Sequence, residues 1–279
     1  SEDFGTRSSF PSHPELLDWL ATELLAKKWD LKALWKEMVM SATYRQSSDI
    51  PPALLSKDPA NRLLARGPRF RLPAEVVRDQ AMFAGGYLSG KIGGPSVRPY
   101  QPAGVWDDTA GLNGNLRNYK PDTGSGLYRR SLYTIWKRTA PPPDMVLFDV
   151  PTREVCRVRR ARTDTPLQAL VLMNDETYLE AARGLAQRVL REVGPSPANR
   201  LDLAFRLVLA RDPKPAESKI LLFALSRRLS EFRARPAAAR ALLKQGELPP
   251  DARRDPAELA AYTMVASTIL NMDETVTKR

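Results

Sequence analysis

Between Tyr128 and Asp175 the chain reads YRRSLYTIWKRTAPPPDMVLFDVPTREVCRVRRARTDTPLQALVLMND. Arg153, Arg157, Arg159, Arg160 and Arg162 fall within this stretch, with Arg129, Lys137 and Arg138 upstream. Guanidinium forks take carboxylate, sulfate or phosphate oxygens two at a time. In an extended segment Arg153, Arg157 and Arg159 share one face, and Arg160 and Arg162 the other. Two readings follow. The cluster is an anionic-ligand site, or it pairs internally with Asp149, Glu154, Asp164 and Asp175. Thr163 and Thr165 come next. Thr165 and Gln168 form a capping-box pattern, with Pro166 at the first helical position. The free amides and dipole of a helix start favour an anion where the arginines arrive. Plain capping by Thr165 and Gln168 is the competing account.

A second constellation lies upstream. Trp106 and Asp107, with Asp108, Asp122, Tyr100 and Tyr119, combine carboxylates with aromatic platforms. That mixture suits a sugar or a calcium ion. Its spacing matches no EF-hand, and solvated loop charge is the plainer reading. His13, the one histidine, has no second histidine with which to share a metal. Arginines flank Cys156, the one cysteine, and would lower its thiol pKa, although a structural cysteine is the simpler account. There is no GxSxG elbow, P-loop or HExxH. No catalytic residue and no metal site is assigned, and whether the chain is an enzyme stays open.

Bulk properties narrow the class. The 279 residues suit one large domain or two small ones, with enough chain for a real core. Net charge is +11 and the pI near 9.9, which favours acidic partners or only a soluble basic surface. No nucleic-acid motif accompanies the charge, so nucleic acid is disfavoured and an anionic glycan stays a candidate. One cysteine excludes an internal disulfide, a zinc ribbon and a CxxCH haem attachment. No apolar run is long enough to span a bilayer. The chain opens without a methionine, so a mature or trimmed piece is expected.

The elements that must position these residues are mostly helical. Ser12 and Glu15 suggest a capping box before a helix striped by Leu16, Leu17, Leu20 and Leu24. Asp30 should cap a second helix, antiparallel to the first and joined to it at Trp29–Asp30. A third begins near Pro73 and weakens at Gly85–Gly86. Further helices are expected from Thr165, Asp175, Pro197, Ala216 and Pro256, with proline breaks between them. Between 91 and about 150 the periodicity vanishes. There RSLYTIWKR and MVLFDV are the strand candidates, with Tyr133 and Trp136 packed inside. The expected fold is mainly α: a multi-helix domain with a long irregular insert containing one or two short β-strands. Residues 1–90 form an N-terminal helical part, 91–164 the insert and 165–279 a C-terminal helical part, together one compact domain.

Several collinear segments carry a resemblance: PSHPELLDWLA, LKALWKEMVMSATYRQSS, RLPAEVVRDQA, IGGPSVRPYQPAGVW, LYRRSLYTIWKRTAPPP, FDVPTREVCRVRRARTDTPLQALVLMND and ILNMDETVTKR. Together they resemble the planctomycete surface domain of unknown function. The resemblance implies the C-terminal domain of an exported multidomain protein. An upstream partner domain, and often a cytochrome-c-like domain, precede it in the same polypeptide. No cofactor is expected in this chain, since any haem would sit on that separate domain. The family pattern reads Arg-Thr-Asn-Thr-Pro. Here Asp164 takes the Asn place, adding a negative charge to the arginine cluster.

Overall fold

The computed structural model describes residues 6–107 and 118–278. The mainly α expectation holds, and the described residues group into two compact units. The first takes in residues up to Phe70, Arg157–Arg159 and the C-terminus from Thr277. The second comprises Arg71–Cys156 and Arg160–Val276.

The first unit opens with helices α1 (Pro14–Ala26) and α2 (Leu31–Met40). Asp30 caps α2 as expected, its side chain accepting from the Ala33 amide at 3.0 Å. Lys28 and Trp29 turn the chain between the helices at positive φ, 55° and 66°. Lys27 then ties them together, bonding Glu23 at 2.6 Å and Glu37 at 2.8 Å. The Ser12 capping box does not form. His13 is the residue that caps α1, it gives no side-chain bond, and Ser12 faces the His13 ring instead. A short α3 (Pro52–Lys57) follows. Phe70–Arg71 (β1) pairs with Thr277–Lys278 (β2) in the two-stranded sheet of the described residues.

The second unit is built on α4 (Ala74–Gly85), α5 (Pro143–Leu147), α6 (Pro166–Asn174) and α7 (Glu176–Glu192). It continues with α8 (Pro197–Leu209), α9 (Pro215–Ala234), α10 (Pro236–Leu243), α11 (Pro256–Leu270) and α12 (Asp273–Val276). The central pair is α7 and α11, with α4 on α7 and with α9 and α10 on α11. Their buried faces are rich in small residues: Ala181, Ala182 and Ala186 on α7, Ala260, Ala261 and Ala266 on α11. Small side chains let helix axes approach closely. At Gly184, where α7 meets α4, the approach is close: a Cβ there would lie 2.8 Å from the Gly85 carbonyl oxygen. Gly86 ends α4 at φ 84°, the left-handed conformation that a helix terminus favours in glycine.

The insert differs from the strand expectation. RSLYTIWKR contains one 3-10 turn, Ser131–Tyr133, and a single bridge from Thr134 to Val97. MVLFDV begins as helix α5, because Pro142 and Pro143 preset the φ of a first helical turn. The short strands lie outside the insert, in β1 and β2. Trp136 is half-buried against the core, and Tyr133 is half-buried as well.

Candidate functional site

The arginine-rich segment is divided between the units. Arg157 and Arg159 belong to the first and are exposed, whereas Arg153, Arg160 and Arg162 belong to the second. Within the second unit each arginine is engaged. Arg153, at φ 65°, stacks its guanidinium 4.2 Å from the Trp136 ring centroid. Arg160 reaches Glu75 at 2.7 Å, and Arg162 also has an interaction partner. Asp164 bonds Arg71, outside the cluster. Thr163 gives both its amide (2.6 Å) and its hydroxyl (2.8 Å) to the Asp149 carboxylate. Thr165 is the N-cap of α6 but makes no side-chain cap bond. Gln168 turns away from the helix start and donates to the Leu147 carbonyl at 2.8 Å and to Thr163. Arg71, Asp149, Arg160 and Arg162 share a cavity of about 20 Å³. That is room for one water-sized group, not for a sugar ring.

The other predicted positions lie elsewhere in the second unit. Arg129 is buried, donates to the Pro95, Lys91 and Gly93 carbonyls, and lies 3.7 Å over the Tyr133 ring. It pins the start of the insert. Trp106 is buried, its indole N–H on the Ala140 carbonyl at 3.2 Å and its ring edge-on to Tyr119. Lys137 lies 4.9 Å from the Trp106 ring centroid. Asp107 and Arg138 are exposed. Asp108 lies outside the described residues. Cys156 is exposed and free. No group of three or more His, Cys, Asp or Glu among the described residues could hold a metal.

Two buried ionic groups organise this unit, and sequence reasoning passed over both. On α4, Arg78 donates to the Leu127 carbonyl (2.7 Å), the Arg129 carbonyl (3.0 Å) and the Ser131 hydroxyl (3.2 Å). Its neighbour Asp79 accepts from the Ser131 amide and hydroxyl at 2.8 and 2.7 Å. The pair clamps the insert onto α4. On α7, Arg183 donates to the carbonyls of Leu243, Gln245 and Leu248, while Glu180 accepts from the Leu248 amide and the Tyr128 hydroxyl. They clamp the loop after α10. Burial raises the Glu180 carboxyl above its ordinary value, with the Leu248 amide opposing it. Asp144, on α5, is pushed up to about 6 by burial and by the Asp175 carboxylate, against the opposing Arg78 charge. The missed signal was charge inside an apolar stripe, as in Ala74-x-x-Val77-Arg78-x-x-Ala81.

The first unit exposes many apolar side chains on its opening helices. Helix α1 buries none of its residues, and α2 buries only Leu34. Trp19 is 44% exposed, Trp35 56% and Trp29 70%, beside exposed Leu16, Leu17 and Leu25. Residues 6–50 carry six basic and six acidic side chains, so the basic surplus lies elsewhere. Among the described residues no helix is long and apolar enough to cross a membrane.

No curated protein and no solved structure matches the chain. A family model does: PSD1, described as a protein of unknown function (DUF1553), matches residues 1–225. The chain therefore belongs to the PSD1 family of proteins of unknown function.

Proposed function

We propose that the chain is a docking module whose α1–α2 hairpin packs on a partner domain of the same polypeptide. One observation carries this reading: a helix of thirteen residues, α1, has no buried side chain while it displays Leu16, Leu17, Trp19 and Leu25. Folded proteins rarely leave a broad apolar patch in water unless something covers it. The balanced charge of residues 6–50 fits an apolar partner surface rather than a polyanion. The upstream domain of an exported polypeptide, which the family resemblance implies, is the occupant proposed. Tryptophan is enriched among interface hot spots, the few residues that each cost about 2 kcal/mol or more when truncated.

Acrylamide quenching of tryptophan fluorescence tests the reading. Trp19, Trp29 and Trp35 should be readily quenched in the chain alone and protected when the partner domain is attached. Trp106 and Trp136 form the background common to both samples. Equal quenching in the two samples would sink the proposal, as would protection arising from self-association of the chain.

A second reading keeps a narrower basis. Arg157 and Arg159 are exposed and make no ion pair with a described residue, so a sulfated glycan could engage them. Reversing both charges should then abolish binding of a sulfated oligosaccharide with little change in melting temperature. Unchanged binding, or none at the outset, removes this reading.

A further inference from the structure

We propose that the groove between the end of α10 and the start of α11 binds a small amphipathic organic anion, an alkyl or aryl carboxylate. The groove lies beyond residues 1–225, the part matched by the family. It belongs wholly to the second unit, and it does not depend on the docking reading.

The floor is apolar and rigid. Leu243 and Leu259 line it, and both are core residues, 4% and 1% exposed. Packing of α10 on α11 fixes their separation. Pro250 and Pro256 contribute walls whose φ cannot relax. The cavity measures about 250 Å³. Small-molecule pockets usually span about 300–1,000 Å³, so this one suits a single ring or a short alkyl chain.

The rim is cationic. Arg240, Lys244 and Arg254 line the groove with one carboxylate, Asp251. Asp251 is already engaged, its oxygens accepting from the Arg253 side chain and amide, with Arg254 3.9 Å away. Arg254 itself donates to the Leu190 carbonyl at 2.6 Å. Arg240 and Lys244 are exposed and make no ion pair with a described residue. They stand at the carboxyl end of α10, where the helix dipole favours cations. Two unmatched positive charges therefore border an apolar floor. Such a site discriminates by combination: the floor holds an apolar body, and the rim selects an anionic head over a neutral or cationic one.

Titration of the whole chain with octanoate, followed by amide chemical shifts, tests the site. Octanoate should shift and saturate the amides of 243–259. Octylammonium, with the same chain and the opposite charge, should bind roughly tenfold more weakly, since the two exposed cations attract an anionic head and repel a cationic one. The double variant Arg240→Gln, Lys244→Gln should weaken octanoate by a similar factor, and Ala252→Trp, at an exposed lining position, should block it. A melting temperature equal to that of the parent chain shows that the variants fold. Shifts confined to residues outside 243–259, equal binding of the two amphiphiles, or full affinity in the double variant would each overturn the proposal.

Discussion

The side chains that hold the second unit together are charged and buried. Arg78 is 2% exposed and spends its guanidinium on carbonyls of the insert, as far as 51 residues away in sequence. Replacing it with Met leaves those carbonyls without donors in the interior, at about 1–3 kcal/mol for each unsatisfied group. Urea unfolding of Arg78→Met should show a loss of several kcal/mol, and increased proteolysis at 127–131 should localise it. Asp144 makes a different prediction. Its folded carboxyl is pushed up to about 6 from an ordinary 3.8, so the native state binds more protons across that window. Stability should fall as pH rises from about 4 to about 6 and then level. Asp144→Asn removes this penalty, worth up to ~3 kcal/mol for two pKa units. The variant should gain stability over the parent at pH 7 but not below pH 4. An equal effect at both pH values would contradict the assignment. These positions were hidden in the sequence for a physical reason. Arginine and aspartate are ordinarily surface residues, and Arg78 finds its partners in backbone carbonyls distant along the chain. The arginine run at 153–162 was conspicuous by contrast, yet in the second unit it is stacked on Trp136 and paired with Glu75.

Helix boundaries were legible wherever local chemistry sets them. Pro73 and Gly86 bracket α4, Asp30 caps α2, and Asp175 caps α7 by accepting from the Thr177 amide. The insert was less legible, because β-branched and aromatic composition reports half-burial rather than backbone conformation. MVLFDV therefore resembled a strand, while the preceding prolines had already committed its first residues to a helical turn. The α4–α7 contact yields an element-scale test. Gly184→Ala would press a methyl group against the Gly85 oxygen and the Tyr87 ring, both 2.8 Å away. Such overpacking costs about 1–3 kcal/mol, and Gly90→Ala, with nothing within 4 Å, is the matched control. Arg211 supplies another. It joins the start of α9 to α12 by bonding Glu217 (2.8 and 2.9 Å) and Glu274 (2.6 and 2.8 Å). Its side-chain hydrogen bonds hold the Glu217 carboxyl down to about 2. That contribution is present above the ordinary value of 4.5 and is lost as pH falls through about 2. Arg211→Met should flatten this acid limb and lower stability at neutral pH by about 1–3 kcal/mol.

Across the whole molecule, the described residues invest their apolar surface unequally. The second unit encloses a continuous core from Ala74 to Val276. The first exposes three tryptophans on two short helices and the turn that joins them. The leucine periodicity of α1 was plain in the sequence, but periodicity identifies an apolar face without saying what covers it. A partner domain of the same polypeptide is the proposed cover, and backbone hydrogen exchange over residues 14–40 is its most direct measurement. The account predicts that these amides exchange readily in the chain alone, because helices with so little buried surface open locally. They should slow by about tenfold or more when the partner domain is attached, as an opening penalty of 1.4 kcal/mol requires. Exchange over 14–40 that is the same with and without that domain would contradict the account.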